Sequence, residues 1–170
     1  MREHITNSPS QTRKIAEILA KKILRTPLEK KALILRLEGD LGGGKTTFLQ
    51  GFAKGLGIKE KILSPTFVII KKYRIPTGRM GKFQSFYHID CYRIKKPKEI
   101  LNLEFKEIIS NPKNIIAIEW AEKIKKMLPQ DAFSIKFDFL SKNKRKIKLS
   151  EVRPRTALFR FFCRLVINWL

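Results

Sequence analysis

The run Ala32-Leu33-Ile34-Leu35-Arg36-Leu37-Glu38 is short, apolar and closed by Gly39, so it reads as a buried strand. Directly after it stands Gly39-Asp40-Leu41-Gly42-Gly43-Gly44-Lys45-Thr46, and from Lys45 onward Phe48, Leu49, Phe52 and Leu56 recur at helical spacing. This strand, glycine loop and helix constrain the fold more than any other stretch, because G-x-x-x-x-G-K-[ST] in that setting predicts a phosphate-binding loop. Glycines let successive backbone N–H groups turn inward around phosphate oxygens, and the helix adds its positive N-terminal end. Gly42, Gly43, Gly44 and Thr47 are therefore candidate nucleotide-binding residues. Lys45 supplies a mobile cation for the β- and γ-phosphates, and Thr46 offers a hydroxyl to Mg²⁺.

The rest of the chain reads as alternating helices and strands. Ser10 can cap a helix carrying Ile15, Ile18, Leu19 and Ile23, which Pro27 closes. Ser64-Pro65-Thr66 leads into a strand over 67–73, and Pro76, Gly78 and Gly81 mark a turn to an antiparallel partner over 83–90. Residues 98–109 form an amphipathic helix with Ile100, Leu101, Phe105 and Ile108 on one side. A buried strand, Ile115 to Ile118, stops at Glu119-Trp120. Phe133, Ile135, Phe137 and Phe139 alternate with polar residues and pair across a turn with Ile147 and Leu149, a C-terminal β-hairpin. No repeat or linker divides the chain, so residues 1–150 are expected to form one domain.

A phosphate loop needs an acidic partner for its metal, normally at the end of a neighbouring apolar strand. Glu119 fits, although it could also simply terminate a strand at the surface. Trp120 could shield the nucleotide or close the edge of the core. In His88-Ile89-Asp90-Cys91-Tyr92-Arg93, the residues His88 and Asp90 share one strand face. Asp90 could orient or deprotonate an attacking water, or instead pair with Arg93 in a turn. His88 is expected to be a structural hydrogen-bonding residue.

Charge and length bound the alternatives. The 170 residues carry 37 Lys and Arg against 15 Asp and Glu, a net +22 that favours polyanions, anionic partners or lipid headgroups. No apolar run reaches the ~18–20 residues of a membrane span, and no signal-peptide core follows Met1, so a cytoplasmic chain is expected. Cys91 and Cys163 lack metal-ligand spacing and are expected to be reduced thiols. A small-molecule kinase could share the glycine loop, but its arginines should build a lid, and here only Arg93 belongs to a motif while Arg74 and Arg79 flank a turn. A basic RNA-binding domain could use Lys142-Asn143-Lys144-Arg145-Lys146-Ile147-Lys148, although lysine is spread over the whole chain.

Taken with the capped first helix containing Thr12, these motifs resemble the TsaE (YjeE) family, the P-loop ATPases of bacterial tRNA threonylcarbamoyladenosine synthesis. The residues that carry the resemblance are 39–48, Ser64-Pro65-Thr66-Phe67, His88 to Arg93 and Ile118-Glu119-Trp120, in order across about 10–150. The resemblance implies an α/β P-loop NTPase fold, a mixed and largely parallel sheet with helices on both sides, and slow hydrolysis of ATP with Mg²⁺. It implies that Gly42 to Thr47 hold the phosphates and that Thr46 and Glu119 hold the metal. Asp90 and Lys45 then serve hydrolysis, with Thr66 on a mobile loop near the γ-phosphate. Thr12 and Trp120 join the nucleotide site, and Arg145 or Lys146 reaches the base or ribose from the last hairpin. The implied partners are the TsaB and TsaD proteins, which modify adenosine 37 of tRNAs reading codons that begin with A; contact with tRNA itself would be weak or indirect. Two features depart from the family. Gly43 stands where Ala is frequent, and an apolar, basic extension over 151–170 follows the core. That extension could be a helix packed on the core, a partner-docking or membrane-surface helix, or a poorly ordered terminus.

Overall fold

The structure, a computed structural model, describes residues 2–76, 82–130 and 132–151. The expected turn around Gly78 and Gly81, and all but the first residue of the C-terminal extension, lie outside these. The elements in chain order are β1 (Arg2–Thr6), α1 (Pro9–Ile23), β2 (Leu33–Glu38), α2 (Lys45–Gly55), β3 (Ile70–Arg74), β4 (Ser85–Asp90), α3 (Phe105–Ser110), β5 (Asn114–Glu119), β6 (Phe133–Phe139) and β7 (Arg145–Glu151). Two 3₁₀ segments, Pro97–Leu103 and Ala121–Met127, complete the fold.

All seven strands form one sheet in the order β1-β7-β6-β2-β5-β4-β3. The four central strands, β6, β2, β5 and β4, run parallel, while β3 and the β7–β1 pair are added antiparallel at the two edges. This is the mixed sheet with a parallel centre that the sequence led us to expect, with β6 and β7 as the C-terminal hairpin. Every residue of β5 is buried, as a strand covered on both faces requires. Alternation then sends Ile115 and Ala117 to one face and Ile116 and Ile118 to the other.

The first face lies under α1 and α2. Phe48 of α2 meets Phe137 of β6 edge-on at 5.5 Å, and Phe52 meets Phe86 of β4 at 5.7 Å, so the helix that follows the glycine loop is fixed to two of the central strands. Helix α1 in turn lies directly on α2. A Cβ added to Gly51 would sit 2.5 Å from Arg13 Cα, and one added to Gly55 would sit 2.7 Å from Ala20 Cβ. The two helices therefore touch backbone to backbone through positions one turn apart. The second face is covered by α3 and both 3₁₀ segments, through Ile100, Phe105 and Ile124.

Several boundaries differ from the sequence reading. The cap of α1 is Ser8, whose Oγ accepts the Gln11 N–H at 3.2 Å, because Pro9 is preorganised for the first helical position. Strand β1 adds an edge that the sequence did not signal. Phe67 and Val68 stand in a turn, 82% and 65% exposed, and β3 begins only at Ile70. The helix expected over 98–109 breaks at Glu104, whose φ of 54° is left-handed, into a 3₁₀ segment and α3.

Candidate functional site

The site lies where β2, β4 and β5 end at the same edge of the sheet. Helix α2 starts at Gly44, which takes φ +100° as the helix cap; a side chain there would strain the turn that aims the following N–H groups outward. Thr46 and Thr47 occupy the first turn of α2. A cavity of about 520 Å³ opens in front of them, walled on one side by Gly42 to Thr47 and on the other by Ser64, Thr66, Asp90, Glu119 and Trp120.

Lys45 is 4% exposed, and its Nζ donates to the carbonyls of Gly39 at 2.6 Å and Asp40 at 2.9 Å. The ammonium also lies 3.9 Å from the centre of the Trp120 ring. Burial pushes its pKa below the ordinary lysine value, and the carboxylates of Glu119, Glu122, Asp90 and Asp40 oppose that shift. Trp120 holds a left-handed φ of 58° and packs on Tyr92 at 5.3 Å, so its ring covers the cation at the cavity wall.

Glu119 is 3% exposed, which removes the reading of a strand simply ending at the surface. Thr46 Oγ1 donates to both of its carboxylate oxygens, at 2.9 and 3.1 Å, across a separation of 73 residues. The hydroxyl and the carboxylate expected to hold one metal are thus in contact. His88 lies within 2.8 Å of Glu119 Oε1 through Nε2. The expectation that His88 is a structural hydrogen-bonding residue holds, but its partner is the acidic residue of the site.

Asp90 does not pair with Arg93. Its Oδ2 accepts from Ser64 Oγ and from Thr66 Oγ1, the latter at 2.8 Å, and its Oδ1 accepts the Tyr92 N–H at 2.8 Å. The Arg93 guanidinium instead stacks 4.1 Å over the ring of Phe67. Sequence reasoning singled out Thr66 but not Ser64, whose signal was its place two residues earlier in Ser-Pro-Thr. Segment 64–69 is also tied at its far end, where the Asp90 N–H donates to Ile69 O at 2.9 Å and Ile69 takes φ +65°.

The remaining candidates sit at the rim. Arg145 Nε donates to Gly42 O at 3.2 Å, while Lys146 points away to an ion pair with Glu3 at 3.8 Å. Of the two basic residues considered, Arg145 therefore adjoins the glycine loop. Thr12 is buried, and its hydroxyl is shared with Thr6 Oγ1 at 2.9 Å and Ser8 O at 3.4 Å. It lies outside the main cavity and lines a small adjoining one of about 60 Å³ with Gly42, Gly44, Thr47 and Arg145.

A glycine loop between a parallel strand and a helix, facing a carboxylate at the end of the adjacent parallel strand, defines the P-loop NTPase fold. The family profile described as "Threonylcarbamoyl adenosine biosynthesis protein TsaE" matches residues 6–147. The chain belongs to this TsaE family, which acts in tRNA threonylcarbamoyladenosine biosynthesis. The tRNA threonylcarbamoyladenosine biosynthesis protein TsaE of Bacillus subtilis (strain 168) is 36% identical over 150 residues, 88% of this chain and 85% of its own. Its counterpart in Rickettsia typhi is 35% identical over 159 residues, 93% and 99% of the two chains. The crystal structure of Bacillus subtilis YdiB superposes with a TM-score of 0.71 at 32% identity, covering 96% of this chain and 91% of that one. Among the described residues no helix is long and apolar enough to cross a membrane.

Proposed function

We propose that this chain is a slow, magnesium-dependent ATPase that serves tRNA threonylcarbamoylation by acting on the TsaB–TsaD complex in the cytoplasm. The observation that carries this reading is the contact between Thr46 and Glu119 in front of a glycine loop whose lysine is already in place. The donor set suits the metal. A hydroxyl and a carboxylate are hard oxygen ligands, and the described residues contain no group of three or more His, Cys, Asp or Glu able to cage an ion. Magnesium is commonly held in this way, by one or two protein oxygens with substrate phosphates and waters completing the octahedron.

Thr46 and Glu119 would hold magnesium, which when bound would supply positive charge against the charge that develops on the phosphates. The chain's own groups do the rest. Loop N–H groups from Gly42 to Thr47 donate to the phosphate oxygens, and Lys45 exchanges the carbonyls of Gly39 and Asp40 for phosphate oxygens. Trp120 keeps water from the ammonium. Asp90 is the group placed to take a proton from an attacking water: its Oδ2 is filled by Ser64 and Thr66, while Oδ1 keeps one lone pair beyond the Tyr92 N–H. Movement of the 64–69 segment would free Oδ2 as a second basic oxygen, which gives a partner that repositions the segment a way to raise turnover. Arg145, whose Nε donates to Gly42 O, would reach the base or ribose of the nucleotide.

The test combines binding and partnership. Calorimetry with Mg²⁺ and ATP is expected to show binding to the natural protein and none to Lys45→Ala. Co-purification with TsaB and TsaD is expected to depend on nucleotide and to weaken in the same variant. Undiminished ATP turnover by Lys45→Ala would refute the assignment.

A further inference from the structure

His88 is 0% exposed and lies on β4 with Phe86 and Ile89 as buried neighbours. A hydrocarbon side chain would fill that space without penalty, whereas the imidazole leaves Nδ1 buried and without a hydrogen-bond partner. The hydrogen bond it makes in return runs from Nε2 to Glu119 Oε1 at 2.8 Å. With no partner near Nδ1 and a carboxylate oxygen at Nε2, the donating ring proton belongs on Nε2.

The strand register explains why this contact forms. In the parallel β4–β5 pair His88 lies opposite Ala117 and Asp90 opposite Glu119. His88 and Glu119 are therefore diagonal neighbours on one face, and the small Ala117 leaves room for the ring to reach across. Glu119 Oε1 consequently accepts from two donors, Thr46 and His88, while Oε2 accepts from Thr46 alone.

We propose that His88 is a positioning residue whose Nε2–H pins Glu119 Oε1 so that the carboxylate is held facing Thr46 for the metal. This rests on the magnesium reading above. It assigns to a buried histidine the outer-partner role that a hydrogen-bonded group plays for a metal-binding carboxylate, for which loss costs about 10–100-fold in metal affinity.

The experiment measures ADP affinity by calorimetry with EDTA and with saturating Mg²⁺, in the natural protein, His88→Gln and His88→Asn. Glutamine can carry its amide N–H to nearly the reach of Nε2, and asparagine falls short. The ratio of the two affinities is expected to fall about tenfold or more in His88→Asn and to stay within about threefold in His88→Gln, with EDTA affinity unchanged in both. A general structural role would instead lower EDTA affinity too, and that result would overturn the proposal, as would an unaltered ratio in His88→Asn or an equal loss in both variants. Failure of either variant to fold as the natural protein does would likewise assign His88 to the core. An absence of any Mg²⁺ effect in the natural protein would refute the magnesium reading itself, a result distinct from these.

Discussion

Replacing Gly51 with alanine should destabilise the protein, although helix propensity alone predicts the opposite. Gly51 lies in the interior of α2, where alanine is favoured by about 1 kcal/mol over glycine. The added Cβ, however, would meet the carbonyl oxygen of Arg13 and lie 2.5 Å from its Cα and 2.6 Å from its C, where 3.4–4 Å is ordinary contact. All three atoms are backbone, so no rotamer change relieves them. Helix α1 must retreat by about 1 Å, loosening Ala16, Leu19 and Ala20 from the core. Overpacking of this kind costs about 1–3 kcal/mol, and contact with rigid backbone puts the cost at the upper end. Subtracting the propensity gain leaves a net loss of about 1–2 kcal/mol. For a chain of this size that lowers Tm by about 2–8 °C. Urea unfolding followed by circular dichroism reads the difference directly. If Gly51→Ala proves more stable by about 1 kcal/mol, α1 does not sit on α2 as described, and the reasoning fails.

Other consequences can be checked independently. Burial, helped by the nearby Asp90, pushes the Cys91 thiol from 9.0 up to about 12, so it should resist alkylation at pH 8 until the protein unfolds; rapid labelling in a Cys163→Ser background would refute this. Because that folded-state value is raised, the unfolded chain gives up the proton first, and the Cys91 contribution to stability should fall as pH rises between 9 and about 12. A Cys91→Ala variant should lose that part of the alkaline decline in a series of urea unfolding curves. Ser64→Ala removes one of two hydroxyl donors to Asp90 Oδ2, so the Val68 and Ile69 amides, both bonded to Pro65 O, should exchange hydrogen about tenfold faster, matching roughly 1.5 kcal/mol for a bond to a charged group. Unchanged exchange would show that the segment is held by other contacts.

The sequence revealed those parts of the molecule that are written in consecutive residues. The glycine loop, the all-apolar β5 and the alternating β6 each carry their cause within a single stretch, and each stands where the pattern put it. Strand β1 does not. Arg2-Glu3-His4-Ile5-Thr6 has a single large apolar side chain, and Ile5 is 60% exposed, so the strand exists only because β7 offers it an edge. Phe67 and Val68 mislead in the opposite sense, since both favour strands locally yet occupy a turn tied to Asp90 from outside. At the site, the pairing of Thr46 with Glu119 was legible, but the partners of Asp90 and His88 were not. What His88 holds depends on the register between β4 and β5, a relation between segments about 30 residues apart.

Lys45 has a consequence for release as well as capture. Its ammonium is already solvated by the protein, through Gly39 O, Asp40 O and the face of Trp120. A phosphate that recruits it must break those bonds, so the free energy gained is a difference between two well-made environments rather than the whole strength of a new ion pair. The same carbonyls stand ready to take the ammonium back when the phosphate leaves. A loop built in this way would hold a phosphate less tightly than one whose lysine stood unpaired, which favours exchange over storage of a ligand.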